Sequence, residues 1–300
     1  MPNIQANGLS LHYELRGNEN DPVILMIMGL GVQMILWPDA LIDQLVSSGF
    51  RVVRFDNRDI GLSSHLDHLG VPSIPVETVK FMMRLPIKAP YRVEDMANDT
   101  AALIDALGLK RPHVVGASMG GMIAQILAAR YPEKLASLTS IMSTTGRRSL
   151  PRPTWSAFRA ILEPPSKHGD IEGAIQRMMR VFTTIGSRTH PPAPAHLREI
   201  CERHILRSNH PAGGARQLLA IAASDDRTHA VRQIKAPTLV LHGNEDPLVS
   251  MVCGIETANV IREGGGNARV SIIEGMGHDF PVPLLTRVAE EIVAHCRAAS

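Results

Sequence analysis

Cysteine is scarce in this 300-residue chain. Cys201, Cys253 and Cys296 are all there is, widely spaced and without a C-x-x-C pair. An odd, scattered set argues against a disulfide framework and fits a reducing compartment. An excess of either charge is also missing. The 31 basic and 29 acidic side chains leave a net charge of +2. No basic block interleaved with aromatics stands out, so no nucleic-acid footprint is visible. Long apolar runs are absent. The most apolar stretch, residues 23–37, is interrupted by Gly29, Gly31 and Gln33, and it falls short of the roughly 18–20 residues of a membrane span. The opening MPNIQANGLSLHYE lacks a charged segment followed by an apolar one, so no signal peptide is read there. A soluble, cytoplasmic protein with no nucleic-acid or membrane partner is expected.

What is present is ordinary globular material, 44% hydrophobic and 20% charged, enough for a sizeable core. There is no internal repeat. Short β-type runs recur at residues 10–15, 23–28, 52–55, 113–116, 138–143, 238–242 and 270–274. Several are near-continuous apolar runs, as strands covered on both faces should be. Helical patterns lie between them at residues 38–46, 93–107, 119–130 and 284–296. Such alternation implies a mostly parallel sheet with right-handed crossovers.

The alternation fails between about Thr145 and Pro237. Only helical periodicity is found there, at residues 155–162, 171–182, 195–206 and 215–223, broken by prolines. Roughly 90 residues without a strand are too many for an ordinary loop. They read as an all-helical insertion, residues 145–236, on a core made of residues 1–144 and 237–300. A smaller insert from Ser64 to Tyr91 carries Met82 and reads equally as a surface excursion or as part of a pocket rim.

Gly116-Ala117-Ser118-Met119-Gly120 forms G-x-S-x-G between the buried run HVVGA and the helical pattern MGGMIAQILAARY. The motif means something only in that strand-to-helix context. A serine in a strained, tight turn needs glycine at Gly116 and Gly120, because a Cβ there would clash. Its hydroxyl then projects above the sheet, and the helix N-terminus with the free N–H of Met119 faces a developing oxyanion. The competing reading is a glycine-rich turn that binds phosphate or merely packs.

A serine nucleophile needs a base. Among 13 histidines, His278 in EGMGHDF follows the last strand and precedes the last helix. His12 and His113 fall in strands; His65, His68, His168, His190 and His210 fall in loops or the insertion. The base needs an anion to fix its tautomer. Asp246 in HGNEDP stands at the end of the preceding strand, giving the order Ser…Asp…His. Glu245 is its neighbouring competitor. No C-x-x-C or H-E-x-x-H ligand set is present, and neither metal nor organic cofactor is expected.

These motifs resemble the α/β-hydrolase fold family over nearly the whole chain. Besides G-A-S-M-G-G, FDNRDIGLSS (Asp56, Arg58, Gly61, Ser63) is similar to the family's D-x-R-x-x-G-x-S turn after the fourth strand. HGNEDP and GMGHDFP look like its acid and histidine loops. The resemblance implies a mostly parallel eight-stranded sheet flanked by helices, with a helical cap after strand six. IMGLG…WP and FDNRDIG look most like the branch containing aclacinomycin methylesterase. One departure matters: the loop after the third strand reads Met28-Gly29-Leu30-Gly31 where the family usually begins with His-Gly. By position the second oxyanion N–H is that of Leu30. Asp59 stands where many members carry glycine.

The expected reaction is hydrolysis of a carboxylic ester through an acyl-enzyme, with Ser118 attacking, His278 relaying the proton and Asp246 orienting it. Lactonase, carbon–carbon hydrolase, acyltransferase and perhydrolase chemistries use the same residues and stay open, as does a ligand receptor with a slow triad. Met28, Gly29, Met82, Trp155 and Phe182 are candidate pocket residues for an apolar small-molecule ester. A homo-oligomer is left open.

Overall fold

The computed structural model describes residues 2–167, 169–224 and 226–299. His168, assigned above to a loop or the insertion, lies outside the described residues. Eight strands form one sheet: β1 (Asn3–Ala6), β2 (Leu9–Arg16), β3 (Val23–Ile27), β4 (Arg51–Phe55), β5 (His113–Ala117), β6 (Ser137–Ile141), β7 (Thr238–Gly243) and β8 (Ala268–Ile273). Their order is β1-β2-β4-β3-β5-β6-β7-β8. β1 and β2 pair antiparallel, and β3 to β8 run parallel. The helices are α1 (Asp39–Ser47), α2 (Ile74–Met82), α3 (Val93–Ala106), α4 (Met119–Arg130), α5 (Trp155–Ile161), α6 (Ile171–Ile185), α7 (Pro194–Arg207), α8 (Pro211–Ala223), α9 (Thr228–Val231), α10 (Met251–Glu263) and α11 (Leu285–Ala298).

The apolar runs become the inner strands. Ile24, Leu25, Met26 and Ile27 of β3 are wholly buried, because helices cover both faces of the sheet. One face packs α3, α4 and α10 against Leu25, Val53, Val114 and Val240. The other packs α1 and α11 against Ile24, Val52, Val115 and Leu241. β3 sits between β4 and β5, so the chain winds outward both ways from this point. Crevices form beyond the carboxyl ends of strands at such a switch.

Helices α5 to α9 lie between β6 and β7, and no strand is found there among the described residues. A small apolar cluster of their own holds α6 to α7: Ala174, Ile175, Met178, Leu197, Cys201 and Ile205. Cys201, Cys253 and Cys296 are buried thiols outside any disulfide, and burial pushes Cys201 and Cys296 up to about 12. No helix among the described residues is long and apolar enough to cross a membrane.

Four elements were not anticipated, among them α9, a four-residue turn too short to show a period. β1 is a four-residue edge strand, too short to show alternation. α10 buries small residues, Cys253, Gly254, Thr257 and Ala258, beside Val260 and Ile261, which blunts its apolar period. α2 is apolar on its solvent side, with Val76, Val79 and Met82 exposed, while Glu77 is its buried residue. An inverted pattern of that kind carries no amphipathic signal.

Candidate active site

Ser118 follows β5 directly, with φ +55° and ψ −118°. That conformation costs a non-glycine residue roughly 1–3 kcal/mol. The surrounding contacts hold it there. Ser118 N–H donates to Ile141 O at 2.9 Å, and Ser118 O accepts from Ser143 Oγ at 2.8 Å. The glycines are steric necessities. A Cβ on Gly116 would meet Gly120 O at 2.2 Å, and one on Gly120 would meet Ile27 O at 2.1 Å. The elbow can turn this sharply only without those side chains.

His278 and Asp246 come to the same rim from the ends of β8 and β7. Ser118 Oγ lies 2.9 Å from His278 Nε2, and His278 Nδ1 lies 2.7 Å from Asp246 Oδ2. The geometry suits a neutral ring that donates from Nδ1 and accepts the serine proton at Nε2. Asp246 Oδ1 accepts from the N–H groups of Leu248 at 2.9 Å and Val249 at 2.8 Å. Burial opposes ionisation of this carboxyl. Attraction to the imidazolium form of His278, the nearby His242 ring at 3.5 Å and the bonds from His278 and Val249 outweigh it and hold the group well below the usual carboxylate range. His242 is itself fixed by donating to Val249 O at 2.7 Å. Glu245 points elsewhere, to Arg188 N, Thr189 N and Thr189 Oγ1 of the segment after α6.

Met119 is the first residue of α4, so its N–H is one of those a helix leaves without an internal acceptor. The loop after β3 passes beside the serine: a Cβ on Gly29 would sit 3.2 Å from Ser118 Cβ. Leu30 follows Gly29 and lines the same cavity as Ser118. The family's histidine is absent here, and amide side chains fasten the loop instead. Asn57 Nδ2 donates to Met28 O at 2.9 Å. Gln217 of α8 accepts from Gly31 N–H at 2.8 Å and donates to Arg58 O at 2.9 Å. Met34 N–H donates to Asp56 Oδ1 at 2.8 Å.

Asp59 also finds its role. It takes φ +69°, a region Asp tolerates better than most residues, and its buried carboxylate receives two bonds from Arg216 of α8, at 2.7 and 2.8 Å. Burial works against its charge, but Arg216 and the Leu66 N–H prevail, and the pKa is lowered. Neither Gln217 nor Arg216 was picked out from sequence. Both lie in a helical stretch whose pattern says nothing about which core loop they will meet.

A cavity of about 1720 Å³ opens over Ser118 and His278. Met28, Gly29, Met82, Trp155 and Phe182 all line it. Met28 is buried at its floor. Trp155 is 70% exposed and Met82 61%, so both stand at the mouth. α2, from the smaller insert, contributes Ile74, Thr78 and Phe81 to the wall.

The profile of the alpha/beta hydrolase fold family matches residues 22–280. This chain belongs to that family. Rhodomycin D methylesterase from Streptomyces peucetius is 26% identical, over 99% of this chain and 98% of that one. The 3-oxoadipate enol-lactonase 2 of Acinetobacter baylyi is 24% identical, over 84% of this chain and 81% of that one. Among solved structures, the meta-cleavage product hydrolase of Pseudomonas fluorescens superposes with a TM-score of 0.75 at 19% identity, over 100% of this chain and 98% of that one. A thermophilic esterase from Thermogutta terrifontis gives 0.68 at 23% identity, over 99% and 98%. At such identities the structural likeness speaks for the fold. Within this α/β hydrolase, the methylesterase relative lies in the branch to which the loops after β3 and β4 were likened.

Proposed function

We propose that this α/β hydrolase is a serine esterase that cleaves carboxylic esters through an acyl-enzyme. The observation that carries the reading is the unbroken hydrogen-bonded chain from Ser118 Oγ through the His278 ring to Asp246. Ser118 attacks the ester carbonyl as His278 Nε2 takes its proton. The N–H groups of Met119 and Leu30 receive the oxyanion. His278 returns the proton to the departing alcohol, and Asp246 stabilises the imidazolium between the two steps. Water, activated by His278, then releases the acid and frees Ser118. The steps draw on the chain's own groups and water.

The cavity favours a bulky apolar acyl part. Its volume of about 1720 Å³ exceeds the roughly 300–1,000 Å³ of common small-molecule sites. The methylesterase relatives favour a small alcohol as leaving group. Met28 and Gly29 form the floor, Phe182 the roof, and Met82 and Trp155 the mouth.

The test is a series of chromogenic and methyl esters, from short acyl chains to multi-ring acids, on wild type and Ser118→Ala. An esterase loses its turnover in the variant and gains kcat/KM with acyl bulk. Slow hydrolysis that is equal in both proteins supports a ligand receptor instead.

A further inference from the structure

Along the histidine loop the backbone hydrogen bonds pass from the sheet to the cap. Core hydrogen bonds follow it as far as Met276, whose N–H donates to Ile273 O and whose carbonyl accepts from Glu245 N–H. Beyond that point its partners change. Gly277 N–H donates to Ser187 Oγ at 2.7 Å. His278 N–H donates to Ile185 O at 2.9 Å. Asp279 accepts from Ser187 Oγ at 2.6 Å and from Ser187 N–H at 3.1 Å. His278 and both its neighbours are thus bonded to residues 185–187, the turn that ends α6.

The two turns are also packed backbone to backbone. A Cβ on Gly277 would lie 2.5 Å from Ser187 N, and one on Gly186 would lie 3.0 Å from Asp279 Oδ2. The same cap turn reaches the acid loop, where Glu245 accepts from Arg188 and Thr189. Ser187 stands at the centre, buried, and its single hydroxyl is used in both directions: it accepts from Gly277 and donates to Asp279.

We propose that Ser187 is a positioning residue for His278, setting the ring's distance from Ser118 through the 277–279 turn. The proposal rests on the esterase reading above. A hydroxyl that bonds both sides of the histidine fixes the backbone from which the ring hangs. Small displacements matter there, since a shift of about 1 Å can cost on the order of 10²-fold in rate. Ser187 itself touches none of the reacting atoms.

The experiment compares Ser187→Ala, Ser187→Cys and Ser187→Thr with wild type and Ser118→Ala, using one good ester substrate. Thermal unfolding is followed alongside, and the low-field proton resonance of the His278–Asp246 pair is recorded. Ser187→Ala is expected to lower kcat by about 10-fold to 10²-fold with KM changed less than about twofold, and to broaden or move the resonance. Ser187→Thr, which keeps the hydroxyl, should recover most of kcat and the resonance. Ser187→Cys keeps the volume but weakens both bonds, and it should show the same split if the alanine variant does not fold. The proposal is overturned if the alanine or cysteine variant keeps wild-type kcat and resonance. It is equally overturned if the lost activity merely follows the unfolded fraction and threonine restores none of it. Failure here with Ser118→Ala inactive leaves the esterase reading standing. A fully active Ser118→Ala removes both.

Discussion

The sheet core and the helical cap are held together by different forces. The core rests on apolar burial: two large clusters, one on each face of the sheet, in which most side chains are shut off from water. The cap has one small apolar cluster of its own, adds Ala220, Val231, Ile234 and Ala236 to one of the core's, and is tied to the core loops by polar links. Arg216 grips Asp59, Arg207 grips Asp56 at 2.7 Å, and Gln217 spans Gly31 and Arg58. Apolar burial is non-directional, whereas a bidentate ion pair or an amide bridge fixes orientation. The core therefore supplies most of the stability, and the cap's polar links supply register between helices that line the cavity and the loops of Gly31 and Asp59.

The sharpest break between the regions is expected in catalysis. Ser118→Ala should reduce kcat/KM by on the order of 10⁴-fold or more, while the unfolding temperature stays close to wild type. Activity and calorimetry on one preparation check both halves. Asp246→Asn should follow closely, with kcat down about 10⁴-fold because the wrong tautomer is favoured. Glu245→Gln keeps the triad and weakens only a cap contact, so it should cost less than about tenfold. If the two acids exchanged these effects, the acid assignment would be wrong.

Cap fastening should show in stability first. Arg216→Met leaves the buried Asp59 carboxylate unpaired and should destabilise by about 3 kcal/mol, read from denaturant or thermal unfolding. The folded-state pKa of Asp59 is depressed. Its contribution is therefore fully present above the unfolded value of about 4 and is lost as pH falls through the lower folded one. The penalty of Arg216→Met should be full at about pH 8 and shrink as pH falls, because burial without the arginine raises the Asp59 pKa in the folded variant and lets the carboxyl take up a proton there. A penalty absent even at about pH 8 would show that the pair does not fasten the cap. The smallest effect belongs to the mouth. Trp155→Ala should raise KM for bulky acyl esters about threefold, some 0.7 kcal/mol, and leave acetate esters unchanged. Equal effects on both substrates would place the tryptophan outside the substrate's path.

The inner strands and the glycine-flanked turn at Ser118 were legible because local rules write them. A buried parallel strand is a short apolar run, and G-A-S-M-G is the residue pattern its strained turn tolerates. The cap helices were legible as helices, through their period, but their contacts were not. Asp59 looked like an anomaly until Arg216 arrived beside it from α8, 157 residues away. α2 was unreadable as a helix because Val76, Val79 and Met82 face outward. Glu245 could be ranked below Asp246 from sequence, but its own task, holding residues 188 and 189, could not be seen there.

By itself, then, the sequence determined the strand–helix alternation, the elbow and the Ser…Asp…His order, all of which are encoded in near neighbours. Only the tertiary structure decided which cap residue meets which loop. Those pairings join segments from 56 to 186 residues apart, where no periodicity or spacing constrains the partner, and they are selected by how the folded surfaces and buried charges fit.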